Sequence, residues 1–274
     1  MNRPLDFSLK DRVAIITGGA GLIGPQHAAA IAAAGGIPVL ADIRREDAEA
    51  RAAEVAKASG GKALGVGCDI TRADSVQSLL DVVMARLGRV DILVNNAANN
   101  PKVETPGRSF SRLEHFPAEQ WDADLDVGLK GAFLCAQIIG GAFAAQRRGV
   151  IVNISSEYGI IAPDQRLYRK PGLPAEEQPV KPVTYSVVKA GLHGLTLYLA
   201  TYWAHEGVRA NTLSLGGVVQ GQPATFVERA EAKIPLGRMA RPDDFQGALV
   251  YLCSDAASFV NGANVVVDGG KTIW

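Results

Sequence analysis

The sequence predicts a doubly wound α/β fold: a parallel sheet with helices on both faces, in a single domain spanning 1–274. Three observations carry this expectation. A strand-like run near the start breaks into glycines and then turns helical. Apolar runs of strand length alternate with helix-like stretches to the end of the chain, and those runs do not alternate apolar with polar residues. Strands buried on both faces read as continuous hydrophobic stretches, and the helices between them supply the cover. Crossovers between parallel strands are right-handed, which places helices on both sides.

The first strand and turn are Val13 to Gly24, VAIITGGAGLIG, with glycines at 18, 19, 21 and 24, and a helix runs from Pro25 to Ala34. Residues without Cβ let backbone approach a pyrophosphate, and a helix start aims free N–H groups at it. Pro25 suits the first helical turn, where its missing N–H would have had no partner. Asp42 ends the second strand, Ile37 to Ile43, about where a dinucleotide fingerprint expects an acidic residue. A polar, alanine-rich helix follows from Arg44 to Ser59, then a strand from Lys62 to Ile70, a helix from Arg72 to Leu87 and a strand from Val90 to Ala97. A polar segment, Asn99 to Phe116, leads to a helix from Pro117 to about Gln146 and a fifth strand, Val150 to Ser155. Two further helix–strand rounds, including a helix from Tyr185 to His205, end with the strand Ala263 to Asp268. Prolines at 163, 171, 174, 179 and 182 make 160–182 a loop over the sheet edge.

The 28 basic and 28 acidic residues cancel, so the charge balance gives no argument for nucleic acid or an anionic membrane as partner. Cys68, Cys135 and Cys253 are scattered, which reads as reduced thiols of a cytoplasmic protein; no disulfide frame and no metal site is expected. The charged opening MNRPLDFSLKDR lacks the apolar core of a signal peptide, and no uninterrupted apolar run approaches a membrane span in length.

Ligands of such sheets bind beyond the carboxyl ends of the strands. That rule selects Gly18 to Gly24, Asp42, Asp69, Asn95 to Ala98, Ser155 and Ser156, and Leu215 to Gln220. Tyr185 and Lys189 lie four apart on one helical face. An ammonium near a phenol favours the phenolate, which would let Tyr185 exchange protons with an alcohol. Ser156 is placed to donate a hydrogen bond to a carbonyl oxygen. His27, His115, His193 and His205 stand in no motif and read as surface or packing residues.

The chain closely resembles the short-chain dehydrogenase/reductase family, in the branch of single Rossmann-like domains. The resemblance runs through TGGAGLIG, DIT at 69–71, NNAA at 95–98, VNISS at 152–156, YSVVK at 185–189, RANTLSLGGV at 209–218 and VDGG at 267–270. It implies an NAD(H)-dependent oxidoreductase interconverting a secondary alcohol and a ketone. Tyr185 would be the acid/base, Lys189 would lower its pKa and hold the nicotinamide ribose, and Ser156 would polarise the carbonyl. The implied cofactor set is Gly18, Gly21, Leu22, Ile23 and Gly24 in the turn, Asp42 and Ile43, Asp69 and Ile70 near adenine, Asn95 and Ala97, Tyr185 and Lys189, and Gly217 and Val218 at the carboxamide. It also implies a homo-oligomer, tetramer or dimer, packed through long helices and the C-terminal segment. The alternatives are an NAD-binding protein without turnover and a sugar-nucleotide epimerase or dehydratase; the T-G-x-x-G-x-x-G spacing motivates the latter.

Four positions depart from the family pattern: Leu22 and Ala98 replace Gly, Leu215 replaces Pro, and Gly128 replaces the Asn of the usual tetrad. Glycine keeps the backbone carbonyl that would hold a relay water, so activity is expected despite Gly128, and Asn at 128 is expected to change the rate by less than about tenfold. NAD is expected over NADP, because Asp42 would repel a 2′-phosphate. The substrate is expected to be a small polar alcohol or ketone, multiply hydroxylated or anionic. That expectation rests on the insertion's Arg166, Arg169, Lys170 and Lys181 and on Lys102, Arg108 and Arg112, partly offset by Asp164, Glu176 and Glu177.

Overall fold

Seven parallel strands form one sheet in the order β3-β2-β1-β4-β5-β6-β7 in the computed structural model, which describes residues 5–99 and 111–274. The strands are β1 Val13–Thr17, β2 Ile37–Asp42, β3 Leu64–Gly67, β4 Ile92–Asn95, β5 Gly149–Ser156, β6 Val208–Leu215 and β7 Asn264–Val267. The helices are α1 Gly24–Ala33, α2 Arg45–Ser59, α3 Ala73–Leu87, α4 Ala118–Leu125, α5 Gly131–Ala145, α6 Val183–Tyr202, α7 Ala224–Glu231 and α8 Gln246–Cys253. The strand order reverses between β1 and β4, and a doubly wound sheet opens a crevice at that switch point.

The unbroken apolar character of β1 follows from its two covered faces. Val13 and Ile15 join α3 and α5 in one core cluster, through Val76, Leu79, Cys135 and Phe143. Ala14 and Ile16 join α1 and α8 in the other, through Ala28, Ile31, Leu249 and Leu252. Successive side chains of a strand point to opposite faces, so one run of apolar residues feeds two cores.

Several elements differ from expectation. β3 and β4 are shorter than the runs that predict them, losing residues at both ends. Residues 117–146 hold α4, a π-helical turn at Asp126–Lys130 and α5 in direct succession. The combined Ala118–Ala145 run has a mean hydropathy of 1.5 in its most apolar window, long and apolar enough to cross a membrane. It is not an uninterrupted apolar run, since Glu119, Asp122, Asp124, Asp126, Lys130 and Gln137 break it. The same composition suits a core helix, and Cys135, Ala136, Ile139 and Phe143 are buried against the sheet. The proline-rich stretch holds two 3-10 turns, Gln165–Tyr168 and Ala175–Glu177. Gln178 staples it, accepting from Lys170 N at 2.8 Å and donating to Lys170 O and Leu173 O at 3.0 and 2.7 Å.

Candidate active site

A cleft of about 710 Å³ lies beyond the carboxyl ends of the strands. Its cofactor-like end is built by the first turn. Gly18 has φ +61°, and a Cβ there would sit 2.9 Å from Ala97 Cα. Asn96 pins the turn by donating from its amide to Thr17 O at 2.9 Å and Gly18 O at 3.1 Å. No side chain caps the start of α1, whose first turn carries Pro25. Gln26 N and His27 N donate to Ile23 O, which leaves the N–H groups at the turn itself, ahead of Pro25, to face an anion. Gly18, Gly21, Leu22, Ile23, Asp42, Ile43, Asp69, Ile70, Ala97, Gly217 and Val218 all line the cleft.

Gly24 and Asn95 are not among the lining residues. A Cβ on Gly24 would meet Gly18 O at 2.5 Å and Gly19 O at 2.6 Å, so this glycine lets the helix close onto the turn. Asn95 is buried and donates to Asn153 Oδ1 at 2.9 Å, bracing β4 against β5, while its neighbour Asn96 reaches the cleft. Asp42 accepts from Ala20 N at 3.1 Å and from Arg44 N at 3.2 Å, which fixes its carboxylate at the edge of the turn. Asp69 accepts from Thr71 N at 3.0 Å and Thr71 Oγ1 at 2.7 Å.

At the other end, Ser156 closes β5, and Tyr185 sits in the first turn of α6, just after Pro182. The Tyr185 and Ser156 side chains both line the cleft, with Ser156 close enough to act on the Tyr185 phenol. Two further bonds lock helix to strand: Lys189 Nζ donates to Ile154 O at 2.8 Å, and Ser155 Oγ donates to Lys189 O at 2.7 Å. Thr184 Oγ1 donates to Asp124 Oδ2 at 2.6 Å and ties the start of α6 to α4, with both residues buried. Ser156, Tyr185 and Lys189, far apart in the chain, thus line one cleft. Of the histidines, His193 Nε2 lies 3.2 Å from Ser155 Oγ, and His27 is wholly buried.

The electrostatics differ from the sequence-based expectation. Burial raises the Tyr185 pKa above the ordinary phenol value; the neighbouring Ser156 side chain opposes this, and nearby Glu157 adds to it. Lys189 Nζ lies 5.9 Å from the Tyr185 ring centroid and is engaged by Ile154, so desolvation outweighs its pull on the phenolate. Lys189 itself is pushed down to about 8 by burial and then by Lys181. Tyr185 is therefore a protonated hydroxyl at neutral pH.

Gly128 is buried in the π-helical turn, facing α6. A Cβ there would lie 2.3 Å from Val188 Cγ1, 3.0 Å from Cγ2 and 3.2 Å from Cβ. The expectation that Asn is tolerated at 128 is corrected by this contact, because any side chain there drives into the residue before Lys189.

Of the basic residues assigned to the rim, Lys181 lines the cleft, its Nζ 3.8 Å from the Tyr185 ring centroid. Arg166 is exposed and pairs with Asp164 at 2.8 Å, and Arg112 donates to Ala175 O at 3.0 Å. Arg169 and Lys170 are outside the lining, and Lys102 and Arg108 lie outside the described residues. The residues missed by sequence reasoning are Glu157, Tyr158 and Lys271, while Asn96, selected only as part of Asn95 to Ala98, takes the place in the lining expected of Asn95. Glu157 was legible in principle as the first residue beyond Ser156. Nothing local marks Lys271, which reaches Glu157 from the C-terminal segment to form a buried ion pair.

A family profile described as short chain dehydrogenase matches residues 12–168, and one described as enoyl-(acyl carrier protein) reductase matches 175–272. The chain is 37% identical over 273 residues to a D-threitol dehydrogenase of Mycolicibacterium smegmatis, covering 98% of this chain and 95% of the relative. It is 32% identical to an NAD-dependent glycerol dehydrogenase of Listeria innocua, covering 98% and 96%. Among solved structures it resembles a gluconate 5-dehydrogenase from Burkholderia cenocepacia, in complex with NADP and tartrate. That likeness has a TM-score of 0.85, 30% identity and 98% coverage of both chains.

Proposed function

The chain belongs to the short-chain dehydrogenase/reductase family, and from that premise we propose that it is an NAD(H)-dependent dehydrogenase interconverting a secondary alcohol and a ketone on a small polyol- or sugar-like substrate. The observation that carries the proposal is the meeting of Ser156, Tyr185 and Lys189 in one cleft. When bound, the nicotinamide ring supplies or accepts the hydride. The Ser156 hydroxyl holds the substrate oxygen, and Tyr185 gives or takes the proton at that oxygen. Lys189, fixed between Ile154 O and the backbone of α6, is positioned to hold the cofactor ribose and to stabilise charge as Tyr185 gives up its proton.

The named relatives divide between NAD and NADP, so this chain's own Asp42 supports the choice of NAD. Like charges about 4 Å apart repel by about 4 kcal/mol at an effective dielectric of 20. The arginines that would relieve that repulsion are engaged: Arg44 pairs with Asp47 at 3.0 Å and Arg45 with Glu49 at 2.8 Å. The relatives named for threitol, glycerol and gluconate support a polyol-like substrate. Three buried thiols, Cys68, Cys135 and Cys253, fit a reducing cytoplasm. Exposed Phe133, Tyr198 and Tyr202 on α5 and α6, with Phe259 and Trp274, support a homo-oligomer through these helices and the C-terminal segment; light scattering reads the state directly. Residues 1–274 are proposed to act as one cofactor-binding unit, with 160–182 as the insertion beside the reacting carbon. The function is tested by following NADH formation from polyols, sugars and sugar acids, with Tyr185→Phe and Ser156→Ala as controls. No turnover of any of them would overturn it.

A further inference from the structure

Two charged side chains flank the catalytic pair, each a short step along the chain from it. Glu157 follows Ser156 directly, and Lys181 lies four residues before Tyr185, just ahead of α6. Both line the cleft. Glu157 is 2% exposed, and its two oxygens differ. Oε1 accepts from Lys271 Nζ, while Oε2 is buried with no hydrogen-bond partner. A carboxylate oxygen in that condition is costly unless a donor meets it. Lys181 is held where it can meet the same ligand. Its backbone N–H donates to Gln165 Oε1 at 2.8 Å, and its Nζ stands 3.8 Å from the Tyr185 ring centroid. An ammonium has three donors, so Lys181 can keep an existing partner and still offer a hydrogen to a substrate oxygen.

We propose that Glu157 and Lys181 form a subsite for a hydroxyl on the carbon next to the reacting carbinol, so that the enzyme selects vicinal diols over simple secondary alcohols. A hydroxyl both donates and accepts, and it satisfies the carboxylate and the ammonium at once. A carbonyl or ether oxygen at that place would serve Lys181 and leave Glu157 Oε2 unpaired, and a methyl group would serve neither. The ion pair with Lys271 opposes the rise that burial imposes on the Glu157 pKa and fixes the orientation of the carboxyl group. Tyr158, whose hydroxyl lies 3.5 Å from Lys271 Nζ, lines the same cleft with its ring edge-on to Tyr185. The subsite rests on the polyol reading and narrows it to one recognised hydroxyl.

The test compares kcat/KM for butane-2,3-diol and butan-2-ol in wild type, Glu157→Gln, Lys181→Met and Lys181→Arg. Wild type should favour the diol by at least about tenfold, as sites built around a substrate hydroxyl do. Glu157→Gln and Lys181→Met should each collapse that ratio by about tenfold, mainly through the KM of the diol, and Lys181→Arg should restore most of it. Glu157→Gln also strips Lys271 of its partner; should it fail to fold, the Lys181→Met ratio decides between the outcomes. A diol preference that survives Lys181→Met, or equal losses for both substrates, overturns the subsite alone. A wild type that turns over butan-2-ol as well as any polyol overturns the polyol reading and the subsite with it.

Discussion

Gly128→Asn places the first atom of a side chain where Val188 already stands. The new Cβ would be 2.3 Å from Val188 Cγ1, against an ordinary carbon contact of about 3.5–4.0 Å. Val188 is buried and β-branched in mid-helix, where one χ1 well dominates, so rotation does not clear the overlap. Overpacking of this kind costs about 1–3 kcal/mol, and the gain from removing a helical glycine offsets only about 0.5–1 kcal/mol. The variant should therefore be less stable than wild type by about 1–2 kcal/mol in urea unfolding. Since Lys189 is the next residue and Tyr185 lies one turn back, a displaced α6 should also cost about tenfold to a hundredfold in kcat. Val188→Ala in the same chain should recover activity and give a coupling energy of about 1 kcal/mol or more in a double-mutant cycle. A Gly128→Asn variant with wild-type stability and rate, or additive single effects, would refute the steric account and return the question to the missing side chain.

Three other perturbations probe separate parts of the molecule. His27 is fully buried with neither ring nitrogen bonded, and burial lowers its pKa to about 4 from 6.5. Because the folded value is the lower one, the unfolded chain takes up the proton first as pH falls through 6.5. Stability is lost down to pH about 4, by roughly 3 kcal/mol in all. His27→Leu should flatten that part of the pH–stability curve and raise stability at pH 7 by about 1 kcal/mol; an unchanged slope would show the loss comes from elsewhere. Asp42→Ala should lower the kcat/KM preference for NAD over NADP by about tenfold or more, and comparable use of both cofactors by wild type would contradict the assignment. Thr184→Val leaves Asp124 without its partner in α6. It should cost about 1–3 kcal/mol and lower kcat more than it raises the KM for NAD; unaltered melting would sink the anchoring role.

Much of the fold and site is legible in the sequence because it is local. VAIITGGAGLIG carries its strand, turn and helix start within one stretch, and the spacing of Tyr185 and Lys189 places them on one helical face. The meeting of Ser156 with Tyr185 follows from topology, since β5 ends and a crossover helix begins on the same carboxyl edge of a parallel sheet. What stays hidden depends on pairing across the chain. The charge of 160–182 reads as a basic rim, but Arg166 folds back on Asp164, and Lys181 is drawn inward over a ring. Lys271 reaches Glu157 across 114 residues, and no periodicity announces such a pair. Asn95 and Asn96 are adjacent and chemically identical, and only the pleat decides that the second one faces the turn. The direction of the Tyr185 shift is hidden for a related reason: a motif shows a cation nearby but not the burial that outweighs it.

The most direct measurement is NADH formation by purified protein across polyols, sugars, sugar acids and simple secondary alcohols, with Tyr185→Phe assayed beside wild type. The proposed chemistry predicts turnover of at least one polyol or sugar-type alcohol with NAD, and a loss of about 10² or more in the variant, since the proton donor at the substrate oxygen is gone. Wild type that binds NADH yet oxidises none of these compounds, or a Tyr185→Phe variant with undiminished kcat, would contradict it.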